Sequence, residues 1–334
     1  MRGRLRIPAE WERHDACWVA FPHLEEEWHD MLPNAQEAIV RLCRCIAGPG
    51  GEPVRLLVAN ADVESTARAA LGDEPDVSLV RADYGDCWVR DTLPSFGWTE
   101  DGRLGALRFR FNGWGGKFDI PFDDEVGAWL AKRLGAVDSA VDLVLEGGAL
   151  ELDGEGTAIV TESCVLNSNR NPGLTRAAFE ETLAAHAEVD RIVWLERGLA
   201  HDHTDGHVDM IARFTAPGIV CCMAPDSGRP NTGVLEQIRR QLSAEEFRVL
   251  ELPAAPLCRA PDDTPLPATY CNFYVANQAV IVPTYGVPDD EIALDVLRGA
   301  FPGRTAIGLP ARDLLCGGGS LHCATQPLPA AAAP

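Results

Sequence analysis

The chain has 334 residues, 46% of them apolar and 24% charged, which is ordinary for a globular protein and excludes disorder for its bulk. Lys and Arg number 29 against 50 Asp and Glu, and the formal charge of −21 disfavours nucleic acid and anionic membranes while attracting small cations. No run of about 18 apolar residues spans a membrane, and the basic stretch Met1 to Glu10 lacks the apolar region of a secretion signal, so a cytoplasmic location is expected.

Short buried strands are predicted at 54–59, 77–80, 141–145, 158–161, 192–195, 219–223, 249–252, 270–275, 279–283 and 305–309. Amphipathic helices are predicted at 34–47, 123–134, 175–187, 232–242 and 289–300, with Thr175 and Asp289 as N-caps. In the last helix Ile292, Leu294, Val296 and Leu297 form the apolar set, and Asp290, Glu291, Asp295 and Arg298 face outward. The last four helices recur every ~50–60 residues, each between strand pairs, which points to a repeated ββαβ-like unit. No linker divides the chain, so residues 1–325 read as a single domain. The Ala/Pro-rich stretch 326–334 reads as a disordered tail.

The 11 cysteines are odd in number and contain no CxxC, so they read as reduced, mostly buried thiols in a cytoplasm. The densest chemistry lies in His201-Asp202-His203-Thr204-Asp205-Gly206-His207-Val208-Asp209. It offers two readings. A metal-dependent hydrolase would use His201, His203, His207 and Asp209 as ligands, although Gly206 interrupts the HxHxDH spacing of metallo-β-lactamase-type hydrolases. Acid–base chemistry would use His207 and Asp209, which share one face if the segment is extended.

Other segments are weaker alone. Gly317-Gly318-Gly319 precedes Cys323 and lets the backbone approach a ligand closely; a thiol beside such a loop becomes a nucleophile where its pKa is lowered. Asp86-Cys87-Trp88-Val89-Arg90-Asp91 places carboxylates beside a tryptophan. Glu146-Gly147-Gly148 ends an apolar run, and Phe111-Asn112-Gly113-Trp114-Gly115-Gly116 is a Gly-rich aromatic loop.

Together, WVRDTLP at 88–94, FNGWGG at 111–116, LEGGALELDGEGT at 145–157, TESCVLNSNRNP at 161–172, TDGHVDM at 204–210, NFYVAN at 272–277 and GGGSLHCATQ at 317–326 resemble one family. In this order they are similar to agmatine deiminases and the related bacterial-type peptidylarginine deiminases, within the guanidino-group modifying superfamily. The resemblance implies an α/β fold, a five-bladed α/β-propeller of ββαβ modules around a central pocket. It implies hydrolysis of the guanidinium of agmatine to N-carbamoylputrescine and ammonia through a covalent thiouronium, with no metal and no cofactor. The alternatives are deimination of peptidyl arginine or of another small guanidine.

By the same resemblance Cys323 is the nucleophile, His207 the general acid/base, and Glu146 the carboxylate that orients it. Asp91 and Asp209 flank the guanidinium, a planar cation rich in donors. Trp88 and Trp114 line the pocket, and Asp86, Asp202 and His203 are candidates for the far amine. His203 stands where the family often has an acid, and Leu93, Gln278 and Ser320-Leu321 also depart from the family pattern. The expected partner is a small cationic guanidino substrate; the sequence leaves a homo-oligomer open.

Overall fold

The computed structural model describes residues 3–229 and 231–331. Among these residues five sheets repeat one topology, and a two-stranded ladder of Cys258–Arg259 and Pro265–Leu266 stands apart. In each of the five, a central strand runs antiparallel to one neighbour and parallel to the strand that follows a crossover helix. The parallel pairing demands such a crossover, because a tight turn joins only antiparallel strands.

Ser95–Trp98, Leu104–Arg110 and Val137–Val144 form one sheet around the helix Val126–Arg133. Glu151–Leu152, Thr157–Thr161 and Arg191–Leu195 form the next, with the helix Arg176–His186. Ala212–Ala216, Ile219–Met223 and Arg248–Leu252 follow, with Thr232–Ala244, and then Tyr274–Val275, Ala279–Thr284 and Thr305–Pro310, with Asp289–Ala300. The remaining sheet joins the chain's two ends: Gln326–Pro329 pairs with His14–Ala20, which runs parallel to Val54–Val58, and Val77–Arg81 adds a fourth strand. The repeated unit expected from helix spacing is thus present as a repeated topology.

Of the internal strands, Val54–Val58, Thr157–Thr161, Ile219–Met223 and Ala279–Thr284 are readable in sequence, whereas His14–Ala20 and Leu104–Arg110, which carry charged residues, are not. Val220 to Met223 and Ala279 to Pro283 are buried throughout, giving the continuous apolar runs of strands covered on both faces. Outer strands such as Ser95–Trp98 and Ala212–Ala216 carry mixed sequences and gave no signal. The helix Leu32–Ala47 buries Ala35, Ala38, Ile39, Leu42, Cys43 and Ile46 at helical spacing and starts two residues early because Pro33 fits a first turn. Ala61–Leu71 was missed, since it buries only Ala67 and Leu71; its N-cap Asn60 accepts from the N–H groups of Asp62 and Val63.

Several expectations need correction. Gln326–Pro329 is a strand, not part of a disordered tail; Pro329 is buried, and Gln326 donates through Nε2 to the carbonyl of Pro94 at 2.9 Å. Residues 332–334 lie outside the described residues. The extended stretch predicted at 270–275 is a strand only at Tyr274–Val275. Asp123 does not open a helix; buried, it accepts the N–H groups of Gly85 and Asp86. Thr175 does cap its helix, but Asp289 lies inside the first turn of the last one. There Asp290 is buried and accepts from the N–H groups of Tyr285, Gly286 and Val287, while Ile292 faces solvent.

No helix among the described residues is long and apolar enough to cross a membrane. All eleven cysteines are free, and all but Cys316 are buried. Ending the chain at Thr325 removes the only antiparallel partner that His14–Ala20 has among the described residues. Its thermal unfolding midpoint, followed by circular dichroism, is expected to fall by about 5 °C or more.

Candidate active site

The five sheets place their loops alike. Asp91 lies just ahead of Ser95–Trp98, Glu146 and Gly148 just ahead of Glu151–Leu152, and Asp209 just ahead of Ala212–Ala216. Asn272 precedes Tyr274–Val275, and Cys323 precedes Gln326–Pro329. Each repeat therefore delivers one chemically active segment at the entrance to its first strand. Residues far apart in sequence meet because the repeats do.

Cys323 is buried, and its Sγ lies 3.7 Å from Oδ2 of Asp209 and 3.2 Å from Nδ2 of Asn272. Asn272 sets both groups: Nδ2 also donates to Asp209 Oδ2 at 3.1 Å, and Oδ1 accepts the backbone N–H groups of His322 and Cys323. Burial pushes the Cys323 thiol well above its ordinary range, and the carboxylates of Asp209 and Asp91 push it further. Asp209 behaves oppositely. Burial alone would raise it, but His322, at 2.8 Å from Oδ2, holds it below the usual carboxylate range. Its other oxygen, Oδ1, is buried with no partner.

Asp91 is fixed at both oxygens, by the N–H of Gly148 at 2.9 Å and by Trp114 Nε1 at 2.9 Å. Burial raises its pKa and the charge of Asp209 adds to this, against the lowering influence of His207. His207 stands between Asp91 Oδ1, 3.8 Å from Nδ1, and Glu146 Oε2, 3.6 Å from Nε2. Burial favours the neutral ring, yet Asp91, Cys164 and Glu146 together hold it well above the ordinary imidazole range. Glu146 in turn receives Arg170 Nε on both oxygens, at 2.9 and 3.0 Å, and stays below its ordinary range despite burial. Arg170 continues to Asp205 and the carbonyl of Thr204, tying Glu146 to the loop that carries His207.

That loop is not extended. Asp205 and Gly206 have φ of +66° and +100°, and Val208–Met210 is a single 3₁₀ turn. His207 and Asp209 converge through this turn rather than by strand alternation. Gly148 sits at the convergence point: a Cβ there would lie 2.7 Å from His207 Nδ1, 2.9 Å from Asp91 Oδ1 and 3.0 Å from Asp209 Oδ2. The cluster exists because position 148 has no side chain.

An open cleft of about 800 Å³ adjoins the cluster, with Trp28, Trp88, Trp114, Phe118, Asp86 and His203 in its wall. The three glycines have a different use from a ligand-cradling loop. A Cβ at Gly317, Gly318 or Gly319 would strike the rings of Trp28, His203 and Trp88 respectively, so the bare backbone packs the aromatic wall. Asp86 accepts from Trp28 Nε1 at 2.9 Å, and burial raises its pKa. His203 packs against Trp114 and Phe118, and burial lowers its pKa. Asp202 is turned into its own loop, accepting from Thr204 and the N–H of His207.

The set His201, His203, His207 and Asp209 does not assemble. His201 and His203 line the open cleft while His207 is buried. Among the described residues, the group with metal-ligand spacing is Glu146, Cys164 and His207, whose carboxylate already holds Arg170. Residues missed from sequence are Asn272, His322, Glu10, Arg170 and Cys164; all but Glu10 lie inside quoted motifs without being singled out.

A thiol, two carboxylates and a carboxylate-flanked imidazole around one buried point define a class of guanidino-modifying proteins. The chain belongs to the Porphyromonas-type peptidyl-arginine deiminase family, whose model matches residues 6–329. It is 36% identical over 358 residues to the agmatine deiminase of Stutzerimonas stutzeri, covering 97% of this chain and 95% of that one. The agmatine deiminase of Enterococcus faecalis superposes with a TM-score of 0.91 at 28% identity, covering 98% and 96% of the two chains. A cysteine-to-serine variant of C. jejuni agmatine deiminase with substrate bound gives 0.90 at 30%, covering 99% and 97%. DDAH from Pseudomonas aeruginosa, 12% identical with a TM-score of 0.55 over 95% of this chain and all of that one, shares the fold.

A raised thiol pKa has a direct consequence. Alkylation of Cys323 by iodoacetamide, read by mass spectrometry of its peptide, should be at least ~10-fold slower near neutral pH than that of a cysteine peptide. It should accelerate as the solution is made alkaline.

Proposed function

We propose that the protein is a cysteine-dependent deiminase that hydrolyses agmatine to N-carbamoylputrescine and ammonia. The observation that carries this is the buried thiol of Cys323 beside Asp209, with Asp91 and His207 converging on Gly148. A guanidinium seated there offers donors to both aspartates, and the unpartnered Oδ1 of Asp209 awaits one. The ββαβ units are read as the blades of a five-bladed propeller, and their repeated topology supports this.

The steps follow from charge. At rest Cys323 holds its proton, because burial and two carboxylates oppose a thiolate. The substrate cation reverses the local sign, and the thiol proton leaves for solvent. The thiolate attacks the guanidinium carbon, giving a neutral tetrahedral adduct. His207, cationic between Asp91 and Glu146, protonates the leaving nitrogen. Ammonia departs and a thiouronium remains on Cys323. The now neutral His207 takes a proton from water, whose oxygen attacks the same carbon. Collapse breaks the carbon–sulfur bond, releases the ureido product, and sends the remaining proton out with ammonia as ammonium.

Agmatine suits the cleft better than arginine. Its alkyl chain runs between Trp28, Trp88 and Trp114, and its ammonium meets Asp86 and Glu27. No lysine or arginine lines this cleft among the described residues, so the carboxylate of free arginine finds no fixed cation there and meets Glu27 and Asp86. A cytoplasmic location accords with eleven free cysteines.

The deciding experiment compares turnover of agmatine, free arginine and a peptidyl arginine with a chelator present. Agmatine is expected to be preferred in kcat/KM by about 100-fold or more. Activity lost to the chelator, or kept by Cys323→Ala, would remove the thiol mechanism. Gly148→Ala is expected to fold but to lose at least ~100-fold in kcat, because its methyl group displaces His207 and both aspartates.

A further inference from the structure

The site contains two histidines between carboxylates, and only one is used above. His207 lies between Glu146 and Asp91, with Arg170 behind Glu146. His322 lies between Glu10 and Asp209: Nε2 is 2.8 Å from Glu10 Oε2 and Nδ1 is 2.8 Å from Asp209 Oδ2. Behind Glu10 stand Arg213, 3.0 Å from Oε1, and Arg90, 2.8 Å from Oε2. Each aspartate is thus backed by the same order of groups: histidine, glutamate, arginine.

The two chains differ in tightness. The ring of His207 stands 3.6 and 3.8 Å from its carboxylates, and its Nε2 has no hydrogen-bond partner. That is a ring with room to exchange a proton with a reacting group. The ring of His322 is hydrogen-bonded at both nitrogens and has no free position. An ionised carboxylate only accepts, and both Glu10 and Asp209 are held below the usual carboxylate range, so the two contacts are satisfied together only by a ring that donates from both nitrogens, which is a cation. Its other neighbours do not alter this: Arg90 Nε approaches its backbone carbonyl at 3.4 Å, while Arg213 and Glu151 lie beyond Glu10 as an ion pair at 2.8 Å.

We infer that His322 is a positioning residue, a fixed imidazolium that ties Asp209 by one oxygen and turns the other, Oδ1, to the guanidinium. The inference rests on Asp209 being a guanidinium ligand. Without the ring, Asp209 would be a buried carboxylate beside a thiol with only the amide of Asn272 on it, and it would take up a proton more readily. A protonated Asp209 loses its attraction for the substrate.

Two measurements test this on the full-length protein. In 15N-histidine-labelled enzyme near neutral pH, both ring nitrogens of His322 should carry protons, giving two downfield N–H resonances that vanish in His322→Asn. A ring protonated at one nitrogen overturns the inference, and this reading needs no turnover. For folded His322→Asn, kcat/KM for agmatine should fall by about 10- to 100-fold, mainly through KM. The acid limb of its pH profile should move to higher pH, because Asp209 then ionises later. A loss equal at every pH would mean a merely structural role and would overturn the proposal. Glu10→Gln, which keeps an acceptor for the ring but removes its charge, should shift the limb the same way by less; no shift in either variant also overturns it. If the wild-type enzyme fails to turn over agmatine, the substrate reading falls while the resonance test still decides the state of His322.

Discussion

The controlling constraint is electrostatic: Cys323 is buried against Asp209 and close to Asp91, where a negative sulfur is unwelcome. An isolated buried carboxylate is costly, and here Asp91, Glu146, Asp209, Glu10 and Glu151 gather around one point. They are met by Arg90, Arg170, Arg213 and the two histidines, so that the cluster is balanced when both rings are charged and the thiol is not. A guanidinium adds one positive charge to this balance. Loss of the thiol proton restores it. In the proposed mechanism binding and nucleophile formation are then one event, and neither substrate nor thiolate is stable in the pocket without the other.

The fold makes this gathering feasible without long loops. Each repeat turns into its first strand at the same place, and at that place stand Asp91, Gly148, Asp209, Asn272 and Cys323. Groups that must meet within a few ångströms are set on rigid strand entrances, where small errors of position are resisted by the packed sheet behind. The glycines serve this convergence in two ways. Gly148 leaves room for three side chains at once, and Gly317 to Gly319 admit the rings that wall the cleft. Trp114, at φ +53°, shows the strain accepted there: its left-handed backbone carries the indole whose Nε1 holds Asp91.

This division also sets what a single sequence reveals. Cys323, His207, Asp91, Asp209 and Glu146 lie beside glycines, tryptophans and other polar residues, so they stand out locally. Their supports do not. Glu10 sits in an ordinary N-terminal stretch, yet it reaches a histidine 312 positions away, and Asn272 lies 51 positions from the sulfur it contacts. His322 lies next to the cysteine, but nothing in the sequence shows that its two nitrogens meet two acids. Gln326–Pro329 was taken for disordered chain because Pro and Ala dominate its surroundings. Its prolines are tolerated at the outermost place in its sheet, where His14–Ala20 is its one neighbour among the described residues.

In the proposed mechanism the same electrostatics explains why the reaction ends. The thiouronium keeps a positive charge next to Asp91 and Asp209, so the intermediate is held as firmly as the substrate was. Water attack converts it to a ureido group, which is neutral. The cluster then loses the added cation, a thiolate leaves it one negative charge in excess, and Cys323 regains a proton. A neutral ureido end has no claim on a pocket built for a cation, and the aromatic cleft retains only the amine-bearing end. Release therefore follows from the chemical step itself, and the resting thiol that results reacts poorly with electrophiles until another guanidinium enters.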